Sequence, residues 1–194
     1  VIAVAVISDR GPLYLPDCLA SIDENLGLDP HVVDDSDHRL GMAGAVRAAW
    51  DWALSTGCDY LLHVEEDFRF VTPPPLAEMV DVFTYDETLA QVVLKRQPWS
   101  PEEARAGGII ETDPQAYTDH SAGGLQWVAH QRIFSLNPCL IPRKFLEMGW
   151  PDGNEAEMTA QLVALGYRFA FYGHRTDPPR VVHVGAERGV GWRL

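Results

Sequence analysis

Three apolar segments, each running straight into acid, constrain this chain more than any other feature. VIAVAVI at 1–7 leads to Asp9, HVV is followed by Asp34, Asp35 and Asp37, and YLLHV ends in Glu65, Glu66 and Asp67. The first segment is almost continuously apolar and rich in β-branched residues, the mark of a strand buried on both faces. Helical periodicity fills the gaps between the segments. Leu15, Cys18, Leu19, Ile22 and Leu26 recur at helical spacing behind Pro16 and stop at Gly27, while Ala45, Ala49, Trp52 and Ala53 mark a second helix closed by Gly57. Alternating strand and helix with short links predicts an α/β unit built on a parallel sheet.

The remainder of the chain is less regular. Leu76, Met79, Val80 and Phe83 predict a short helix, and AQVVLKR at 90–96 a fourth strand. Ser100-Pro101-Glu102-Glu103 reads as a helix start with a capping box. Residues 107–135 are polar and Gly-rich, and are expected to form irregular strands and loops. A strand (NPCLI), two helices (PRKFLEM and EAEMTAQLVAL) and two further strands (YRFAFYG and RVVHVG) follow. The last residues, AERGVGWRL, lack periodicity and are expected to be a flexible tail.

Composition narrows the function. The 194 residues are 46% hydrophobic, enough for one domain with a real core. Against 28 acidic residues stand 15 Lys and Arg, a net charge of −13, which offers duplex nucleic acid no basic face. Cys18, Cys58 and Cys139 are scattered without CxxC spacing, which argues against a disulfide framework or a cysteine zinc site. No apolar run approaches the roughly 18–20 residues of a membrane span, and the first strand lacks a signal-peptide pattern. The expected setting is cytoplasmic.

In an open α/β sheet, ligands bind beyond the carboxyl ends of the strands. If the sheet is parallel, the acids after all three segments gather at one edge. Like charges so close are costly unless a cation neutralises them. An oxygen-rich site of that kind suits Mg²⁺ or Mn²⁺, which keeps positions open for a phosphate. A single acid of this set reads as a solvated cap; the repetition at three strand ends is what favours a site.

Taken in order, these segments resemble the GT-A fold glycosyltransferases, and family 2 in particular. VAVISDRGPLYLPDCLASI resembles their opening strand, loop and helix, VVDDSD their second strand, and GMAGAVRAAWDWALSTGCDYLLHVEEDF the stretch leading into the DXD metal motif. Glu65-Glu66-Asp67 is close to the Glu-Asp-Asp version of the N-acetylglucosaminyltransferase I type. NEAEMTAQLVALGYRFAFYG resembles the segment that carries the catalytic base, and VVHVG supplies a late histidine. Only 95–135 has no clear counterpart.

The resemblance implies a single GT-A domain with a mixed, mainly parallel central sheet. Residues 1–94 would form the nucleotide- and metal-binding half, 95–184 the acceptor and base half, and 185–194 the tail. The implied activity is a metal-dependent, inverting transfer of a sugar from a nucleotide-diphosphate donor to an acceptor hydroxyl on a glycan, protein or small molecule. Asp67 and His183 would hold the Mn²⁺ or Mg²⁺ ion. Asp9 would line the nucleoside loop, Asp35 (with Asp34 as second choice) would accept from the base edge, and Arg47 would add a base or ribose contact. Glu65 would lie nearer the ribose, Glu66 would join it in binding the donor, and Arg188 would fold over the diphosphate. Glu155 falls on the base position, with Glu157 as fallback. Trp99, Trp127 and Trp150 are candidates to stack on acceptor sugars or to pack in the core.

The motif departs from strict DXD at Glu66, and the base position is Glu where the family has Asp. A non-catalytic nucleotide-sugar or glycan-binding module is therefore the alternative. A Rossmann dehydrogenase is excluded by the missing GxGxxG, and neither a sugar nucleotidyltransferase nor a haloacid-dehalogenase phosphatase opens with SDRGP.

Overall fold

A computed structural model describes residues 1–97, 110 and 112–185. Its first half is the predicted alternation: β1 (Ile2–Ser8), α1 (Leu15–Leu26), β2 (His31–Asp34), α2 (Gly41–Ser55) and β3 (Tyr60–Glu65). A short strand β4 (Phe68–Phe70), helix α3 (Leu76–Tyr85), β5 (Leu89–Val93) and β6 (Arg96–Gln97) follow. The second half holds β7 (Thr118–Ala122), β8 (Leu125–His130), β9 (Cys139–Pro142), α4 (Arg143–Leu146), α5 (Glu155–Ala164), β10 (Arg168–Tyr172) and β11 (Val181–His183).

Among the described residues, eight strands form one sheet in the order β2-β1-β3-β9-β5-β10-β8-β7, and β4, β11 and β6 form a second. β1 pairs in parallel with β2 and β3, and β10 in parallel with β5, while β9 and β8 run antiparallel to their neighbours. The central sheet is thus mixed and mainly parallel. Ala3, Ala5 and Ile7 face the core beneath α2 and α5, and Val4 and Val6 face the core beneath α1 and α3. Helices on both faces are the reason the first strand had to be apolar throughout.

Local signals placed most ends. Gly27 takes the left-handed conformation (φ 61°) that terminates α1, and the Asn154 side chain accepts the Ala156 N–H at 2.9 Å to cap α5. Two expectations change. The stretch at 107–135 contains a regular hairpin, β7 to β8, that extends the sheet through β10. Its link is Gly123-Gly124, both at positive φ (58° and 84°), a two-residue hairpin turn. β7, TDHSA, is a polar edge strand, so it carries no apolar alternation to announce it. AQVVLKR, in turn, is two strands: β5 stays in the large sheet and β6 leaves it to pair with β11.

The expected helix from Ser100, Trp99 and the tail with Arg188 lie outside the described residues. Cys18, Cys58 and Cys139 are buried free thiols. Among the described residues no helix is long and apolar enough to cross a membrane.

Candidate functional site

Parallel pairing brings the ends of β1, β2 and β3 together: Ser8 lies beside Asp34, and Ile7 beside Glu65. The acids that follow do not all point outward. Glu66 is 1% exposed and turned inward. It accepts from the Ser8 hydroxyl, from the Arg10 N–H at 2.7 Å, from the Asp9 N–H at 3.3 Å and from Arg10 Nε at 3.3 Å. Burial raises its pKa, against the opposing hydrogen bonds from Ser8 and the Arg10 backbone. Glu66, expected at the donor, thereby holds the loop after β1, whose amides need a buried acceptor.

That loop presents Asp9 and Arg10. Asp9 is 4% exposed; its Oδ1 accepts from Arg10 Nε at 3.1 Å, and its Oδ2 has no partner among the described residues. Asp67 Oδ2 is met by Arg10 Nη2 at 2.6 Å and by His183 Nε2 at 3.0 Å. Burial pushes the Asp67 pKa up, but the hydrogen bonds and charges of His183 and Arg10 outweigh it and hold it below the usual carboxylate value. β11 delivers His183 by pairing with β4, where its ring stacks on Phe68 at 4.9 Å. The chain then crosses directly over Asp67: Val184 N–H donates to the Asp67 carbonyl at 2.8 Å, and a Cβ on Gly185 would stand 2.2 Å from Asp67 Oδ2.

Asp35 and Arg47 are committed elsewhere. The two Asp35 oxygens accept the N–H groups of Leu40 and Gly41, both at 2.8 Å, at the start of α2. Asp35 is 1% exposed, whereas Asp34 is exposed and holds its own turn through Ser36 N–H at 2.9 Å. Asp35, the expected acceptor from a base, is thus also the anion on the N-terminus of α2. Arg47 donates to the carbonyls of Trp150 (3.1 Å) and Pro151 (2.6 Å) and to Asp152 (2.5 Å). It ties α2 to the loop ahead of α5, and none of these partners belongs to the acid cluster.

Glu155 opens α5 and accepts the Leu136 N–H at 2.7 Å. The loop before β9 is further held by Gln91, which donates to the Ser135 carbonyl at 2.8 Å and accepts its N–H at 2.7 Å. Burial raises the Cys139 thiol pKa, and the charges of Glu65 and Glu155 add to it against a hydrogen bond from Gln91. Glu65 ends the strand whose His63 pairs with Cys139, and Glu155 is bonded to Leu136 just ahead of β9, so both lie at the sheet edge of the acid loops.

Sequence reasoning missed Arg10 and Ser8. Three acids converging on one loop were the signal for Arg10, because buried carboxylates require a countercharge. Trp127 and Trp150 are 3% and 5% exposed and belong to the core. Trp127 lies parallel to His120 at 5.5 Å, beside a cleft of about 190 Å³ that Gln126 and His174 also line, at the opposite end of the sheet from β2.

The expected divalent ion can be tested against these donors. Among the described residues no group of three or more His, Cys, Asp or Glu side chains is arranged to enclose a metal. Asp67 Oδ2 and His183 Nε2 nonetheless converge on one point, 3.0 Å apart. One carboxylate and one imidazole are two donors, so a divalent ion here would have to take its remaining ligands from water and substrate phosphates.

No protein-family model matches the chain, and neither does any curated protein sequence. Solved structures do. A197 from STIV superposes with a TM-score of 0.53 at 14% identity, over 94% of this chain and 81% of that one. TarS residues 1–349 from S. aureus, determined in complex with UDP-GlcNAc, superposes with a TM-score of 0.60 at 13% identity. The match covers 96% of this chain but 59% of the TarS chain, so the present chain spans less than two thirds of that neighbour. The mixed, mainly parallel sheet with acid loops at its carboxyl edge is the GT-A fold of the glycosyltransferases.

Proposed function

We propose that the chain transfers a sugar from a nucleotide-diphosphate donor to an acceptor hydroxyl, with inversion and with the help of Mn²⁺ or Mg²⁺. The observation that carries the reading is the convergence of Asp9, Asp67, His183 and Arg10 on one sheet edge. Asp9 Oδ2, buried without a partner among the described residues, would be an acceptor for a nucleoside N–H or hydroxyl. Asp67 and His183 would hold the divalent ion, which supplies Lewis-acid stabilisation of the diphosphate leaving group. Glu65 would stand by the ribose.

Glu155 takes the proton of the acceptor hydroxyl as that oxygen attacks the anomeric carbon on the face opposite the diphosphate. The Leu136 N–H fixes one oxygen of Glu155 and so aims the carboxylate. An acidic chain with no evident basic face suits a glycan, protein or small-molecule acceptor better than duplex nucleic acid.

The test is a panel of nucleotide-sugars with and without Mn²⁺, scored for thermal stabilisation and for hydrolysis to the nucleoside diphosphate. One donor should stabilise the protein and be hydrolysed only with metal, and Asp67→Ala should abolish both effects without unfolding the chain. Stabilisation without hydrolysis or transfer would make it a binding module. No response to any donor would overturn the reading.

A further inference from the structure

We propose that Arg10 is a resident countercation: it holds Asp67 in the free protein and moves to the donor's diphosphate when Asp67 takes a divalent ion. The inference rests on the donor-site reading above and concerns what the site does before the donor arrives.

One Asp67 oxygen, Oδ2, carries both Arg10 Nη2 at 2.6 Å and His183 Nε2 at 3.0 Å. The same guanidinium reaches Asp9 Oδ1 and Glu66 Oε1 through Nε, at 3.1 and 3.3 Å. The side chains of Asp9, Glu66 and Asp67 are 3%, 2% and 9% exposed, so none has water enough to dissipate its charge. Buried carboxylates of this kind need a cation at all times. Arg10, at 18% side-chain exposure and with its guanidinium 4.7 Å from the Tyr14 ring centroid, sits at the rim of the cluster.

Asp67 can give Oδ2 to a divalent ion only by releasing Arg10, because the two cations would repel at such range. Nη2 released alone would forfeit its pair with Asp67, while Nε stays with Asp9 and Glu66, so metal by itself should bind weakly. A diphosphate changes the balance, since its oxygens match the planar fork of a guanidinium. Arg10 then exchanges one anion for another while Asp67 exchanges one cation for another. Metal and diphosphate must therefore bind with positive coupling, and reciprocally so.

The backbone permits this exchange. Glu66 anchors the Arg10 N–H at 2.7 Å and the Ser8 hydroxyl independently of where the guanidinium lies. The loop can stay fixed while the side chain turns.

The experiment measures Mn²⁺ binding by electron paramagnetic resonance, with and without UDP or GDP, for the wild type, Arg10→Gln and Arg10→Lys. In the wild type, the nucleotide should tighten Mn²⁺ binding by about tenfold or more. Arg10→Gln should bind Mn²⁺ alone about tenfold more tightly than the wild type, while losing most of the coupling and weakening nucleotide binding. Arg10→Lys keeps the charge without the fork, so Mn²⁺ alone should stay weak and the coupling should fall.

An Arg10→Gln variant with unchanged or weaker Mn²⁺ affinity overturns the proposal, because loss of structure cannot raise metal affinity. If Arg10→Gln does not fold, undiminished coupling in Arg10→Lys overturns it. Failure of the wild type to bind Mn²⁺ with either nucleotide overturns the donor-site reading itself, and this inference with it.

Discussion

The Glu155 carboxylate accepts the Leu136 N–H at 2.7 Å, which joins the first turn of α5 to the loop that leads into β9. The proposed base, held in this way, loses little orientation when its charge is removed, since an amide oxygen accepts the same N–H. Glu155→Gln should therefore retain donor binding and melting temperature, while transfer falls by about two to four orders of magnitude. Steady-state rates beside a donor titration check this. Near-normal transfer in Glu155→Gln, with loss in Glu157→Gln, would move the base two residues along α5.

Asp35 and Asp34 should separate cleanly. Asp35→Ala leaves the Leu40 and Gly41 N–H groups without their acceptor, and should cost about 2 kcal/mol of stability. Asp34 is exposed, and Asp34→Ala should change stability by less than about 0.5 kcal/mol. Urea denaturation of both variants decides. Equal effects would mean that the start of α2 is not held by Asp35.

Gly185 has no room for a side chain against Asp67. Gly185→Ala should push either the Val184–Gly185 backbone or the Asp67 carboxylate aside, and metal-dependent stabilisation by a nucleoside diphosphate should drop by about tenfold in affinity. Gly124→Ala, at a hairpin turn far from the acids in the sheet order, is the control for a general effect of adding a methyl group, and should leave that affinity unchanged.

His63 lies in the middle of β3, fully buried, with neither ring nitrogen partnered among the described residues. Burial lowers its pKa from 6.5 to about 4. The unfolded chain then binds the proton more readily than the folded one, so stability falls as pH drops below about 6.5 and levels off below about 4. Between pH 7.5 and 5 this residue should cost about 2 kcal/mol. His63→Leu should remove that share of the acid sensitivity, seen as a larger gain in melting temperature at pH 5 than at pH 7.5. A gain independent of pH would show that His63 is not the group responsible.

Trp127→Ala should destabilise the chain by about 3–5 kcal/mol, because the indole is packed with Ala129, Tyr172 and Leu125 beneath α3. Loss of donor and acceptor binding together, in step with lowered stability, is the expected pattern. An acceptor defect in a variant of normal stability would restore Trp127 to a sugar-facing role.

How much of this was legible without coordinates varies with the range of the interaction involved. The alternation of apolar runs with 3.6-residue periodicity, closed by Gly27 and Gly57, determined the first three strands and two helices, because those signals act within one turn or one strand. Acid at three strand ends also determined that the charge would collect at one edge, since parallel strands leave no other place for it. The sequence by itself did not determine which carboxylate faces a ligand and which faces a neighbour. Asp35 and Glu66 gained their partners only when the chain brought backbone amides to them, from α2 and from the loop after β1. Pairing of β7 with β8 and β10, the turn of Arg10 onto Asp67 and the passage of Gly185 over it were likewise decided by the tertiary structure. Each depends on contacts between residues far apart in the chain, and a buried charge takes its role from whichever partner the fold delivers.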